Sequence, residues 1–102
     1  MDEREIVGSP FKQGVDETIT RTLTTTPYSA PTTVSVVAYD ITDGVRLNVS
    51  ATVLSGAATV LGDVITLPAL TLLTVGHQYR VEVKFTSGGN VYEFYMIVEA
   101  EY

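Results

Sequence analysis

Only one residue in the sequence is an obvious candidate for acid–base or nucleophilic catalysis. The chain has a single histidine, His77, and no cysteine. His77 follows Gly76 where a loop is expected to enter a strand, and neither a serine nor a carboxylate lies next to it in the sequence. The usual zinc sites need several histidine or cysteine ligands, and a catalytic base needs a nucleophile within reach. We therefore interpret His77 as a turn residue facing solvent and predict that the chain is not an enzyme.

Three aspartates could in principle provide acid–base groups or oxygen ligands for calcium. Asp40 and Asp43 lie near one expected hairpin turn, and Asp63 lies at another. Their spacing differs from the D-x-[DN]-x-[DN]-G pattern of calcium-binding loops. Aspartate is frequent in turns because its carboxylate accepts hydrogen bonds from nearby backbone groups. We interpret all three as turn residues and expect neither a metal nor a cofactor.

The charge and hydropathy of the chain restrict its partners. The net charge is −6, and the six lysines and arginines are scattered, whereas binding to nucleic acid requires clustered cations. No segment approaches the roughly 20 apolar residues that span a bilayer, and the charged N-terminus lacks the layout of a signal peptide. We therefore expect protein partners, with no nucleic acid and no membrane.

The length and composition indicate one small all-β domain. The 102 residues are enough for a single core, and 45% of them are hydrophobic. Valine, threonine, isoleucine and tyrosine are abundant, and these side chains favour strands over helices. Turn signals at regular intervals predict an immunoglobulin- or fibronectin III-like sandwich of about seven strands at 17–102. Residues 1–16 show little periodicity and are interpreted as an extended N-terminal arm.

Two hairpins can be assigned with their register. Segments 77–86 and 91–100 alternate between apolar and polar residues on either side of a glycine-containing turn. Their predicted cross-strand pairs are Phe85–Tyr92, Val83–Phe94 and Val81–Met96 on the inner face and Lys84–Glu93 on the outer face. The second hairpin joins 33–41 to 46–54 through Asp43 and Gly44, with Ala38 opposite Val49. Shorter strands are predicted at 17–25, 57–61 and 64–67.

The segment that leads into the strand predicted at 77–86 contains a recognisable corner. Leu73, Gly76 and Tyr79 are spaced as in the corner that precedes the penultimate strand of fibronectin III and immunoglobulin-like domains, which this segment resembles. The resemblance implies that Leu73 anchors the loop and that Gly76 allows the turn. It also implies that the hydroxyl of Tyr79 forms a hydrogen bond with the upstream backbone.

Two sets of apolar side chains are candidates for contact with another protein. On two strands the predicted outward-facing residues include Val37, Tyr39, Tyr95 and Ile97, a set that could form a docking patch or an ordinary sheet surface. In the arm, the candidates are Ile6, Val7 and Phe11. We predict that the arm becomes ordered on a neighbouring subunit. The alternative is that part of it pairs within the same chain as an edge strand.

Five segments after residue 12 carry a family resemblance, namely 13–18, 35–40, 62–70, 76–85 and 89–93. Together they resemble small structural proteins encoded by tailed bacteriophages and prophages. The resemblance implies an acidic, Ig-like virion protein, located at the head surface, the head–tail joint or the tail. It implies assembly with capsid, connector or tail subunits as a homo-oligomer, and no catalytic residues. The alternative is an Ig-like ligand-binding or adhesion module for a carbohydrate or cell surface, although the chain has no tryptophan.

Overall fold

The computed structural model describes residues 4–6 and 8–101. Strands predominate, with 54% of residues in strands and 4% in helix, so the predicted all-β class is confirmed. The described residues form eleven strands and one single-turn helix. Their bounds are β1 Arg4–Glu5, β2 Phe11–Gly14, β3 Thr22–Thr24, β4 Thr32–Asp40, β5 Leu47–Asn48, α1 Ser50–Val53, β6 Leu54–Ser55, β7 Thr59–Leu61, β8 Val64–Thr66, β9 Ala69–Leu70, β10 Gln78–Ser87 and β11 Asn90–Glu101.

The larger sheet is built around the long hairpin of β10 and β11. The antiparallel register of this hairpin is the predicted one, with Phe85 opposite Tyr92 and Lys84 opposite Glu93. β4 pairs with the other edge of β10, and β5 pairs with β4, which gives the order β1-β11-β10-β4-β5. The alternating pattern of the sequence thus fixed both the pairing and the face to which each side chain points.

A second layer covers the inner face of the larger sheet. It contains the three-stranded sheet β3-β8-β7 and the pair β6-β9, and a bridge between Ile19 and Leu70 lies beside them. The core between the layers includes Phe85 and Val98 from the larger sheet and Ile65 from the second layer, each 0% exposed. β7 and β8 correspond to the strands predicted at 57–61 and 64–67.

The strand predicted at 46–54 is wrong beyond Asn48. β5 begins in the predicted register, with Tyr39 opposite Asn48, but it ends after two residues. The backbone N–H of Ser50 then donates to Asn48 Oδ1 at 3.0 Å, and Ser50 Oγ accepts the backbone N–H of Ala38 at 2.9 Å. This hydroxyl takes the place of a strand partner, and α1 carries the chain to the second layer, where Val53 is buried.

The described part of the N-terminal segment pairs within the same chain. β1 and β2 run parallel to β11, with Glu5 opposite Tyr95 and Phe11 opposite Val98. Gln13 in β2 is 0% exposed, and its side-chain amide donates to the carbonyl of Leu70 at 2.7 Å. Of the two alternatives for this segment, docking on a neighbouring subunit or pairing within its own chain as an edge strand, the structure has the pairing within its own chain. A division of the chain at residue 16 stays a prediction.

Candidate interaction face

The outer side of the larger sheet carries two rows of three partly buried side chains. Neighbours in each row lie opposite one another in the register of β4, β10 and β11. The rows are Tyr39, Arg80 and Ile97, and Val37, Glu82 and Tyr95. We call these six residues the outer face. It brings together all four sheet residues that the sequence analysis named as candidates, and it adds the two charged residues between them.

Two arginines pair with one carboxylate at the centre of the outer face. Arg80 Nε lies 2.7 Å from Glu82 Oε2, and Arg46 Nη2 lies 2.9 Å from the same oxygen. The side chains of Arg80 and Glu82 are each only 13% exposed, whereas that of Arg46 is 53% exposed. Because solvent screens the Arg80–Glu82 pair poorly, this pair constrains its two side chains more than a fully exposed ion pair would.

Each of the two arginines also lies over a tyrosine ring. The guanidinium carbon of Arg80 is 3.9 Å from the ring centroid of Tyr95, and that of Arg46 is 5.2 Å from the ring centroid of Tyr39. These are cation–π distances. The contacts restrict the rotamers of both tyrosines before any partner binds, which lowers the entropy cost of docking on this face.

The arm residues proposed as docking points lie elsewhere. Ile6 is 8% exposed and belongs to the core, and its backbone N–H donates to the carbonyl of Tyr95 at 2.8 Å. Phe11 is partly buried and packs against the same core. Val7 lies outside the described residues. The described arm residues therefore cover the core of their own chain, and neither belongs to the outer face.

The predicted corner has the expected hydrogen bond. Tyr79 is 2% exposed, and its hydroxyl accepts the backbone N–H of Thr74 at 2.8 Å. Leu73 is buried, and Gly76 has a φ of +81°, a conformation that glycine adopts without steric cost. These contacts fasten the loop before β10 to the core, so the three residues have a structural role.

The side chain of His77 is 38% exposed, and it has a partner that is distant in the sequence. Its Nδ1 lies 2.7 Å from Asp40 Oδ2, although 37 positions separate the two residues. Asp40 Oδ1 also accepts the backbone N–H of Thr42 at 3.0 Å and its hydroxyl at 2.6 Å. Burial raises the pKa of Asp40, but the hydrogen bonds from Thr42 and His77 outweigh it and hold the pKa below its ordinary value. The pair joins the end of β4 to the start of β10.

Asp63 has a similar structural role at the opposite end of the sandwich. Its carboxylate accepts the hydroxyl of Thr26 and the backbone N–H of Ala30, each at 3.2 Å. These bonds connect the turn before β8 to the loop between β3 and β4. They do not involve the backbone neighbours of Asp63. Within residues 4–6 and 8–101, no group of three histidine or acidic residues is placed to hold a metal ion.

Comparisons with known proteins give no relative for this chain. No family model, no curated protein and no solved structure matches it. In the described part of the chain, no helix has the length and apolarity needed to cross a membrane. The functional assignment therefore rests on the chain's own residues.

Proposed function

We propose that this chain is a non-enzymatic structural protein of a tailed-phage particle, with an Ig-like sandwich that docks through the outer face onto a neighbouring particle subunit. The observation that carries the proposal is the fixed arrangement of Tyr39 and Tyr95 beside two arginines. The resemblance of the sequence to phage structural proteins supports the kind of assembly.

The composition of the outer face suits protein–protein contact. Tyrosine and arginine are frequent among the residues that contribute most to binding energy, because they offer a large contact area together with polar groups. Val37 and Ile97 add apolar surface at diagonally opposite ends of the two rows of the outer face. The face is also broad, since it spans three adjacent strands of one sheet.

Charge complementarity indicates what the partner surface carries. Arg46 and Arg80 both contact the one glutamate of the outer face, and Glu5, Glu93 and Glu99 lie beside the face on the same side of the sheet. A partner surface with carboxylates toward the two arginines, cations toward these glutamates and an apolar centre would complement it. We expect the adjoining particle subunit to present such a surface.

Mass spectrometry of purified particles tests the assignment to a virion. Particles of the phage that encodes this chain should contain it in many copies, as a repeated structural component does. Its absence from particles, combined with abundance in the host cytoplasm, would overturn the assignment.

A pair of substitutions tests the outer face itself. Ile97→Asp places a carboxylate beside Arg80 and removes apolar contact with the partner. Leu61→Asp is the matched control, because Leu61 is 86% exposed on β7 in the second layer. With both variants folded by thermal melt, only Ile97→Asp should reduce the copy number, by about tenfold for a loss of roughly 1.4 kcal/mol of binding. Equal incorporation of the two variants would exclude the outer face as the docking site.

A further inference from the structure

A cavity of about 350 Å³ opens between the N-terminal strands and the second layer. Its apolar lining consists of Ile6, Phe11, Leu67 and Met96, and its polar lining consists of Thr20, Arg21 and Thr22. This volume lies at the lower end of the roughly 300–1,000 Å³ typical of small-molecule sites. Such sites combine apolar side chains with a few polar groups, and this lining has four apolar residues, two threonines and one arginine.

Arg21 is the unusual member of this lining. Its Nη1 donates to Gln13 Oε1 at 2.9 Å, and its guanidinium carbon lies 4.9 Å from the ring centroid of Phe11. Among the described residues it has no ion-pair partner, and the nearby Glu17 directs Oε1 to the backbone N–H of Gly14 at 2.6 Å. A guanidinium has five N–H donors, so most of those on Arg21 are available to a ligand.

The surroundings of Arg21 favour an anionic ligand. Burial lowers the pKa of Arg21, and the charge of Glu17 opposes this effect only in part. A cation that loses hydration without gaining a carboxylate partner is destabilised, and a bound anion would relieve that cost. The planar guanidinium matches a carboxylate, which it can hold with two parallel hydrogen bonds.

We propose that this cavity binds a small monocarboxylate with an apolar tail, its carboxylate on Arg21 and its tail against Ile6, Leu67 and Met96. The single cation suits a single negative charge, and the apolar part of the lining favours an anion with an apolar tail over a fully hydrated one such as inorganic phosphate. This binding site is separate from the outer face, and the proposal does not depend on docking there.

Titration of the full chain with hexanoate, 1-hexanol and acetate tests the proposal. Methyl NMR signals of Met96 and Leu67 report on the cavity directly. Hexanoate should bind about tenfold more tightly than 1-hexanol, which lacks the charge, and than acetate, which lacks the tail. Equal affinity for hexanoate and 1-hexanol, or shifts confined to signals outside the cavity, would overturn the proposal without any variant being made.

Substitution of Arg21 gives a second, independent readout. Arg21→Met should weaken hexanoate binding by about tenfold while leaving 1-hexanol binding unchanged. Lys84→Met is the matched control, because Lys84 is an exposed cation on the outer side of the larger sheet and its loss changes the net charge equally. Hexanoate affinity that is unchanged in Arg21→Met, or reduced equally in Lys84→Met, would contradict a specific carboxylate site.

Discussion

At the residue scale, Tyr79 contributes to stability through both its ring and its hydroxyl. The ring is buried in the core, and the hydroxyl accepts the N–H of Thr74 in the preceding loop. Phenylalanine at position 79 would retain the packing and remove the acceptor. We expect Tyr79→Phe to lower the free energy of unfolding by about 1 kcal/mol, because Thr74 is exposed and water can partly replace the lost bond.

Urea denaturation measures this loss. Tyr95→Phe is a suitable control, since the Tyr95 hydroxyl makes no hydrogen bond within the part of the chain that the structure describes. Its denaturation midpoint should equal that of the wild type. A wild-type midpoint for Tyr79→Phe as well would remove the hydrogen bond from any account of the corner's stability.

Asp40 gives the protein a contribution to stability that depends on pH. Its pKa is lower in the folded chain than the ordinary value of about 3.9, so folding favours the ionised form. The contribution is therefore complete above pH 4 and is lost as the pH falls through the lowered pKa. Asp40→Asn should be less stable than the wild type at pH 7, and the difference should shrink below pH 4.

Thermal melts between pH 7 and pH 2 follow this difference. Asp43→Asn removes a charge from the same hairpin at an exposed residue and serves as the control. Its difference from the wild type should vary much less with pH than that of Asp40→Asn. A gap between Asp40→Asn and the wild type that stays constant down to pH 2 would contradict the role assigned to the Asp40 carboxylate.

At the scale of elements, the sequence pattern predicted strand register and the face to which side chains point, because both depend on alternation along a strand. The hairpin of β10 and β11 was predictable in register because apolar and charged residues alternate on both strands and agree across one turn. The same alternation placed Val37, Tyr39, Tyr95 and Ile97 on the outer side of the sheet. Four of the six residues of the outer face therefore followed from local pattern.

Contacts between distant segments could not be read from that pattern. The apolar residues Val49, Ala51 and Val53 alternate with polar ones, as is typical of a strand. Instead, the side chains of Asn48 and Ser50 accept backbone N–H groups and a helical turn follows. The partnership of His77 with Asp40 and the cavity beside Arg21 likewise depend on how the layers meet. Such polar contacts between residues far apart in sequence leave no periodic signal in a single chain.

Ser50 links the start of α1 to β4. Its hydroxyl is the partner of the backbone N–H of Ala38, a residue that is 0% exposed. Ser50→Ala leaves that N–H buried without its acceptor, and we expect a loss of about 1–3 kcal/mol in the free energy of unfolding. Ser35→Ala, at an exposed position on the same strand as Ala38, should change it by less than about 0.5 kcal/mol.

Chemical denaturation with both variants distinguishes the two positions. Equal stability of Ser50→Ala and Ser35→Ala would show that water or another group satisfies Ala38 and that the hydroxyl of Ser50 is not required for the turn.

At the scale of the whole molecule, the N-terminal strands connect the two layers of the sandwich. β1 and β2 pair with β11 in the larger sheet, whereas Gln13 donates to Leu70 in the second layer and accepts a hydrogen bond from Arg21. Ile6 and Phe11 cover one edge of the core between the layers. The cavity beside Arg21 lies at this junction, so binding there and the stability of the arm are linked.

Truncation of the arm tests whether it belongs to the cooperative unit. Deletion of residues 1–12 removes β1, half of β2, and the side chains of Ile6 and Phe11 from the core. Burial of two such side chains contributes roughly 3 kcal/mol or more. A domain of this size loses about 4–8 °C of melting temperature for each kcal/mol, so the midpoint should fall by roughly 12–24 °C.

The comparison needs a shorter deletion and a second readout. Deletion of residues 1–3 retains β1 and β2 with all their described contacts, so this chain should melt within about 2 °C of the full chain. At a temperature below its own melting point, the chain lacking residues 1–12 should no longer bind hexanoate, because Ile6 and Phe11 of the cavity lining are absent. The outer face should be retained. A truncated chain that melts at the wild-type temperature would show instead that residues 1–12 are a separable arm. The loss of its incorporation into particles, relative to the full chain, would then measure the contribution of the arm to docking.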